Sequence, residues 1–122
     1  MSDDPPVSDA AADLFEEARR TEGEDAAAAL SLFAQCAAAE PGWSVPVVAL
    51  GDLLRKSGRT EEALVAYGRA FELDPTDAAI PVKSGNLRNE TRDYAAAVWD
   101  YEAAAAARPD WYLPDLNRGN AL

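Results

Sequence analysis

The chain contains no histidine, and among its 122 residues cysteine and methionine each occur once. Without histidine, the nucleophilic triads that move a proton through imidazole are excluded. With Cys36 alone, no internal disulfide can form. No apolar run approaches the roughly 20 residues a helix needs to span a bilayer. Residues 1–9 are acidic and proline-rich, with no basic start and no apolar stretch, so they do not read as a secretory signal. Cytoplasm is the expected location. Basic residues are also scarce: 11 Lys and Arg face 22 Asp and Glu, for a net charge of -11. Such a chain has no electrostatic reason to hold nucleic acid or an anionic membrane. The imbalance is steepest in residues 1–40, where Arg19 and Arg20 are the only bases. Solubility accounts for it, and a basic partner drawn to that end is the sharper alternative.

What the chain does have is a step of 34 residues. Gly51, Gly85 and Gly119 keep it, as do Pro41, Pro75 and Pro109. Ala29, Ala63 and Ala97 form a third column, Phe33, Tyr67 and Tyr101 a fourth, and Cys36, Ala70 and Ala104 a fifth. A period of this size signals stacked supersecondary units rather than one globular centre. The best-formed unit runs over 44–77: an apolar-periodic segment with Leu50-Gly51, a break at Ser57-Gly58, a second segment with Ala63, Tyr67 and Ala70, then Asp74-Pro75. Cys36 sits in a column of small residues and is expected to be a buried filler.

These residues resemble the tetratricopeptide repeat family, through Leu50-Gly51, Ala63, Tyr67, Ala70 and Pro75, and again through Gly85, Ala97, Tyr101, Ala104 and Pro109. The likeness runs from about residue 10 to the end. Val47 stands where a larger residue is usual, Ser84 where Leu50 would recur, and Glu17 where Gly51 would recur. The resemblance implies an all-α fold, an alpha-alpha superhelix of three antiparallel helix pairs plus one terminal helix. It also implies a concave groove for peptides or protein segments.

The expected organisation is an acidic, disordered lead over 1–8 and a repeat domain over 9–122. Its repeats fall at about 9–43, 44–77 and 78–111, with a partial fourth at 112–122. Ser8 or Asp9 is expected to cap the first helix, Asp25 the second, Ser44 the third and Thr60 the fourth. Pro46 and Pro81 must fall in first turns, where a missing N–H costs little. Val82 and Leu87 are read as the only large apolar residues of the fifth helix. Gly51 and Gly85, in mid-helix, imply that another helix passes close. Trp43 and Trp111 are expected to cover junctions between units, whereas Trp99 lies off the inward line. The helix opened at Trp111 stops at Leu122, where its partner should begin; it is read either as a terminal cap or, the favoured expectation, as the end of a piece cut from a longer protein.

No residue set announces a reaction, and the chain is expected not to be an enzyme. The acid pairs Glu16-Glu17 and Glu61-Glu62 are sequence neighbours, and neighbours on a helix do not face each other across a cleft. No calcium-loop spacing occurs, and the mid-helix glycines cannot cradle a phosphate. Neither metal nor cofactor is expected. Binding fits better. The first-helix faces turned away from the Leu50 stripe offer Asp52, Arg55 and Lys56, then Val82, Lys83, Asn86 and Asn89, then Asn117 and Asn120. An asparagine amide both donates and accepts, so it can hold a backbone amide of any sequence. Some members of the family clamp a terminal carboxylate with a Lys-Asn-Asn-Lys-Arg set. Asn86 and Asn117 match its two asparagines, but Val82, with Lys83 beside it, stands at the first lysine. The leading expectation is a module that binds a protein or peptide segment in the groove. A self-associating scaffold is the main rival, with weak homodimerisation through 111–122, using Leu116 and Leu122 and aided by Trp99. A third reading is the non-catalytic domain of a larger enzyme.

Overall fold

A computed structural model describes residues 8–107, and all of its regular structure is α-helical. The order is α1 (Asp9–Thr21), α2 (Ala26–Ala39), α3 (Ser44–Lys56), α4 (Thr60–Leu73), α5 (Ala79–Glu90) and α6 (Tyr94–Ala107). These are the six expected helices; the acidic lead, apart from Ser8, and the seventh helix lie outside the described residues. The chain forms two compact units, Met1–Ala66 and Tyr67–Leu122. No helix among the described residues is long and apolar enough to cross a membrane.

In the first unit, α1 packs on α2 and α2 on α3. Each helix start has an identifiable cause. Ser8 Oγ accepts from the Ala11 N–H at 3.2 Å, and Asp25 Oδ1 accepts from the Ala28 N–H at 3.1 Å. Each such cap satisfies a donor the helix cannot, worth about 1 kcal/mol. The third start differs from expectation. Trp43 occupies the cap position with no side-chain bond, and Ser44 is already helical. Trp43 is held by packing instead: its ring lies 5.3 Å from Phe15, which meets Phe33 edge-on at 5.6 Å. Thr60 is likewise helical rather than a cap, and the Arg59 carbonyl accepts from the Ala63 N–H. The core of this unit is Ala18, Ala29, Phe33, Ala49 and Leu53, with Phe15, Leu30, Leu32 and Leu50 against it. Pro46 is buried two residues into α3, where no intrahelical bond is lost.

In the second unit, α5 packs on α6. Asp77 Oδ1 accepts from the Ala79 N–H at 3.1 Å, just before α5, and Asp93 Oδ1 accepts from the Ala96 N–H at 3.4 Å in α6. Ile80 is 1% exposed and is the chief anchor of α5. That corrects the expectation that Val82 and Leu87 are its only large apolar residues: Leu87 is buried, but Val82 is only half-buried.

The breaks after α3 and α5 are the same device. Arg59 N–H bonds the Leu54 carbonyl and Gly58 N–H the Arg55 carbonyl; Asp93 N–H bonds the Arg88 carbonyl and Arg92 N–H the Asn89 carbonyl. This is the paired reverse bonding of a helix end whose last residue is left-handed. Gly58 has φ 80° and Arg92 φ 66°. Glycine holds that conformation freely; arginine does not. Arg92→Gly is therefore expected to stabilise the protein by about 0.5–1 kcal/mol. Urea unfolding checks it, and an unchanged or lower midpoint would contradict it.

Candidate functional site

The sequence of α5, AIPVKSGNLRNE, divides cleanly around its axis. Ile80, Pro81, Ser84, Gly85 and Leu87 are buried on one arc. Lys83, Asn86 and Asn89 follow one another at steps of three, which sets them along one face. Both asparagines are exposed and Lys83 is half-buried.

What fixes this face comes from α6. Tyr101 lies directly over Gly85: a Cβ built on Gly85 would stand 2.7 Å from Tyr101 Cε1 and 3.0 Å from both Cδ1 and Cζ. With hydrogen in place of a side chain, the ring settles on bare backbone and its hydroxyl reaches across α5. That hydroxyl donates to Asn86 Oδ1 at 2.6 Å and accepts from Asn89 Nδ2 at 3.0 Å. Burial pushes the Tyr101 hydroxyl above the usual phenol range, against the bond from Asn89 and with the help of Asp100. It is therefore a protonated donor at neutral pH.

Beside this network Arg88 Nε stands 2.8 Å from Asp100 Oδ2, and its Nη1 3.7 Å from Asp93 Oδ2. Arg88 Nε and Asp100 Oδ2 are both buried, and their approach lies off the N–H line, so the contact is one of charge rather than an aligned hydrogen bond. Burial raises the Asp100 carboxyl, Arg88 opposes that rise and Asp93 adds to it. The pair ties α6 to α5.

The remaining expected residues are distributed as follows. Asp52 is half-buried on α3, Arg55 and Lys56 are exposed in its last turn, and Lys56 Nζ is 3.8 Å from Glu22. These three belong to the first unit and the asparagines to the second. Asn117, Asn120, Leu116 and Leu122 lie outside the described residues, as do Gly119 and Trp111. Trp99 is 76% exposed, as its position off the inward line predicts, and Val65 at the equivalent point of α4 is 72% exposed. Cys36 is fully buried, and its Sγ donates to the Ala11 carbonyl at 3.2 Å. Burial, and then Glu40, pushes its thiol up, which makes it a poor nucleophile. Among the described residues, no group of three or more His, Cys, Asp or Glu could hold a metal ion.

The sequence places Asn86 and Asn89 on the groove-lining face of the fifth helix, but it gives Tyr101 only as a member of the aromatic repeat column. A signal was present. The column Phe33, Tyr67, Tyr101 gains a hydroxyl at its later members, and a hydroxyl on a packed ring needs a partner.

Residues 51–83 match the family model described as TPR repeat. Human "Tetratricopeptide repeat protein 21B" is 36% identical over 64 residues; the match takes in 52% of this chain and 5% of that protein. The crystal structure of the Sgt2 TPR domain from Aspergillus fumigatus superposes with a TM-score of 0.77 at 20% identity, covering 93% of this chain and 76% of that one. The Yersinia enterocolitica type III secretion chaperone SycD, in complex with a peptide of the translocator YopD, gives 0.77 at 16% identity, covering 94% and 87%. At such identities the structural likeness speaks for the fold, and the matched repeat speaks for the family. The helix pairs keep the 34-residue step, and the matched residues 51–83 run from within α3 through α4 into α5, so the chain carries a TPR-like repeat in an all-α helical repeat fold similar to TPR domains.

Proposed function

We propose that the chain is a protein-interaction module that holds an extended peptide segment, with the Lys83, Asn86 and Asn89 face of α5 as its principal contact. The carrying observation is the pair of exposed asparagines fixed by one buried-edge hydroxyl, 2.6 and 3.0 Å away. Exposed polar side chains normally move freely and lose rotamer entropy on binding. Here much of that loss has already been met in the fold. The protein-interaction class is supported by the family, and the SycD relative carries a bound peptide. Lys83 adds a positive charge to the face in a chain whose net charge is -11, which favours a peptide with an acidic residue there. Concave-groove binding in the sense of the family is the wider form of the same reading.

Panning a peptide-display library on the whole chain tests it. Selected peptides are expected to bind in the micromolar range and to lose about tenfold affinity or more to an Asn86→Ala, Asn89→Ala protein. If every selected peptide binds that variant and Lys83→Ala as well as the parent, the α5 face is not the contact.

A further inference from the structure

The Tyr101 hydroxyl carries a single proton, and two carboxamides meet at it. A phenol can donate one hydrogen bond, so it cannot serve two amide oxygens at once. It donates to Asn86 Oδ1 and accepts from Asn89 Nδ2. Asn86 is thereby left with its NH₂ turned away from the hydroxyl, and Asn89 with its carbonyl oxygen turned away. The 2.6 Å contact has the length of an O–H···O bond and the 3.0 Å contact that of an N–H···O bond, so as bonded one asparagine offers a donor outward and the other an acceptor.

The two asparagines are three residues apart on α5, so their outward groups sit side by side, with Cβ atoms about 5–6 Å apart. In an extended chain, the N–H and C=O of one residue point to the same side, as they do in an antiparallel ladder. A fixed donor beside a fixed acceptor is the complement of that pattern. Two freely turning asparagines would offer four combinations, of which like pairs are mismatched. Tyr101 itself is held by its seat on Gly85, where a Cβ would stand 2.7 Å from the ring.

We infer that Tyr101 is a positioning residue: its hydroxyl polarises Asn86 and Asn89 into a donor–acceptor pair that grips the main chain of one extended peptide residue, whatever its side chain. This rests on the peptide-binding reading above and adds the chemistry recognised. Tyr101 contributes no contact of its own to the peptide.

Tyr101→Phe keeps the ring over Gly85 and removes only the hydroxyl. The side-chain amide signals of Asn86 and Asn89 are followed by ¹⁵N–¹H NMR in the whole chain, first alone, then with the blocked tripeptide Ac-Ala-Ala-Ala-NHMe at millimolar concentration, then with its analogue N-methylated at the central residue. In the parent protein, the two amides are expected to show distinct, narrow signals with slowed NH₂ rotation at the residue bonded through its oxygen or its nitrogen. The tripeptide should shift both, and the N-methyl analogue should not. Tyr101→Phe should merge the amides toward free-asparagine positions and weaken the tripeptide by about five- to tenfold, with backbone signals elsewhere unchanged. Amide signals identical in parent and Tyr101→Phe would overturn the inference whatever the peptide does. A tripeptide that shifts α5 backbone signals but neither amide, or an N-methyl analogue that binds equally, would overturn it while leaving peptide binding on α5 standing. A tripeptide that shifts nothing on α5, with the amides still polarised by Tyr101, would overturn the main-chain grip; the library selection then decides separately whether peptide binding itself fails.

Discussion

Gly85→Leu is expected to unfold the α5–α6 unit, and Gly85→Ala to cost about 1–2 kcal/mol. The space is already taken. A Cβ at position 85 would meet Tyr101 Cε1 at 2.7 Å, closer than carbon atoms pack, and two more ring atoms at 3.0 Å. Alanine improves helix propensity by about 1 kcal/mol, but overpacking a filled site costs about 1–3 kcal/mol and sometimes more. The clash wins because the ring cannot swing aside cheaply. Its hydroxyl is bonded to Asn86 and Asn89, and its neighbour Asp100 lies against Arg88. Leucine adds three further carbons with nowhere to go, for a loss expected to exceed about 3 kcal/mol. Urea unfolding of the whole chain gives the ranking. A Gly85→Ala, Tyr101→Val double variant supplies the control, since a smaller residue vacates the space. The double variant should be more stable than the two single losses added together predict. If Gly85→Ala alone raises the midpoint, propensity has outweighed the contact and the ring must be mobile.

That close approach was legible in the sequence as far as its existence goes. A glycine in mid-helix is unfavourable by propensity, so Gly85 called for a helix passing close, without naming Tyr101 as the residue that meets it. The helix bounds were legible from the repeat as well: apolar-periodic segments with a break at Ser57-Gly58, carried along the 34-residue step, leave little freedom. The caps were less so. Ser8 and Asp25 cap as their residue types suggest, but Ser44 does not, because Trp43 is drawn into the cap position by its packing on Phe15. A local hydrogen-bonding preference lost to burial of an indole, and nothing near Ser44 in the sequence reveals that Phe15 is there. Ile80 was not legible from the repeat, because the Leu50 column recurs at Ser84, a small buried residue, whereas the apolar anchor of α5 stands in its first turn. The site divides along the same line. Asn86 and Asn89 are three apart on one helix, and their shared face follows from helix geometry. Their link to Tyr101 spans 15 and 12 residues and depends on how α6 settles on α5. Separation along the chain, not weakness of the interaction, hid it.

Phe33→Ala is expected to destabilise the first unit by about 3–5 kcal/mol. Phe33 is fully buried, and its buried neighbours in the core are mostly small: Ala18, Ala29 and Ala49 beside Leu53, with Phe15, Leu30, Leu32 and Leu50 only partly buried against them. Alanines have no side-chain length with which to fill a space, so the cavity left by the ring stays open. That places the substitution toward the upper part of the range, because the cost grows with residual cavity volume. The damage should also travel. Phe33 supports Phe15 edge-on at 5.6 Å, and Phe15 supports Trp43 at 5.3 Å, the residue that starts α3 without a polar cap. Removing the first ring loosens the second, and the start of α3 then has neither a side-chain cap nor firm packing. Two measurements separate this chain of contacts from a simple cavity. Chemical denaturation should show the lower midpoint. Hydrogen exchange should show the amides of the first turns of α3 losing more protection than those at the centre of α2, where Phe33 itself resides. Phe33→Leu, which refills most of the volume, should recover most of the midpoint but less of the α3 protection, since an edge-on ring contact to Phe15 is not replaced by an aliphatic side chain. Protection lost equally in α2 and α3, or a midpoint lowered by less than about 1 kcal/mol, would show that the three rings do not act in series.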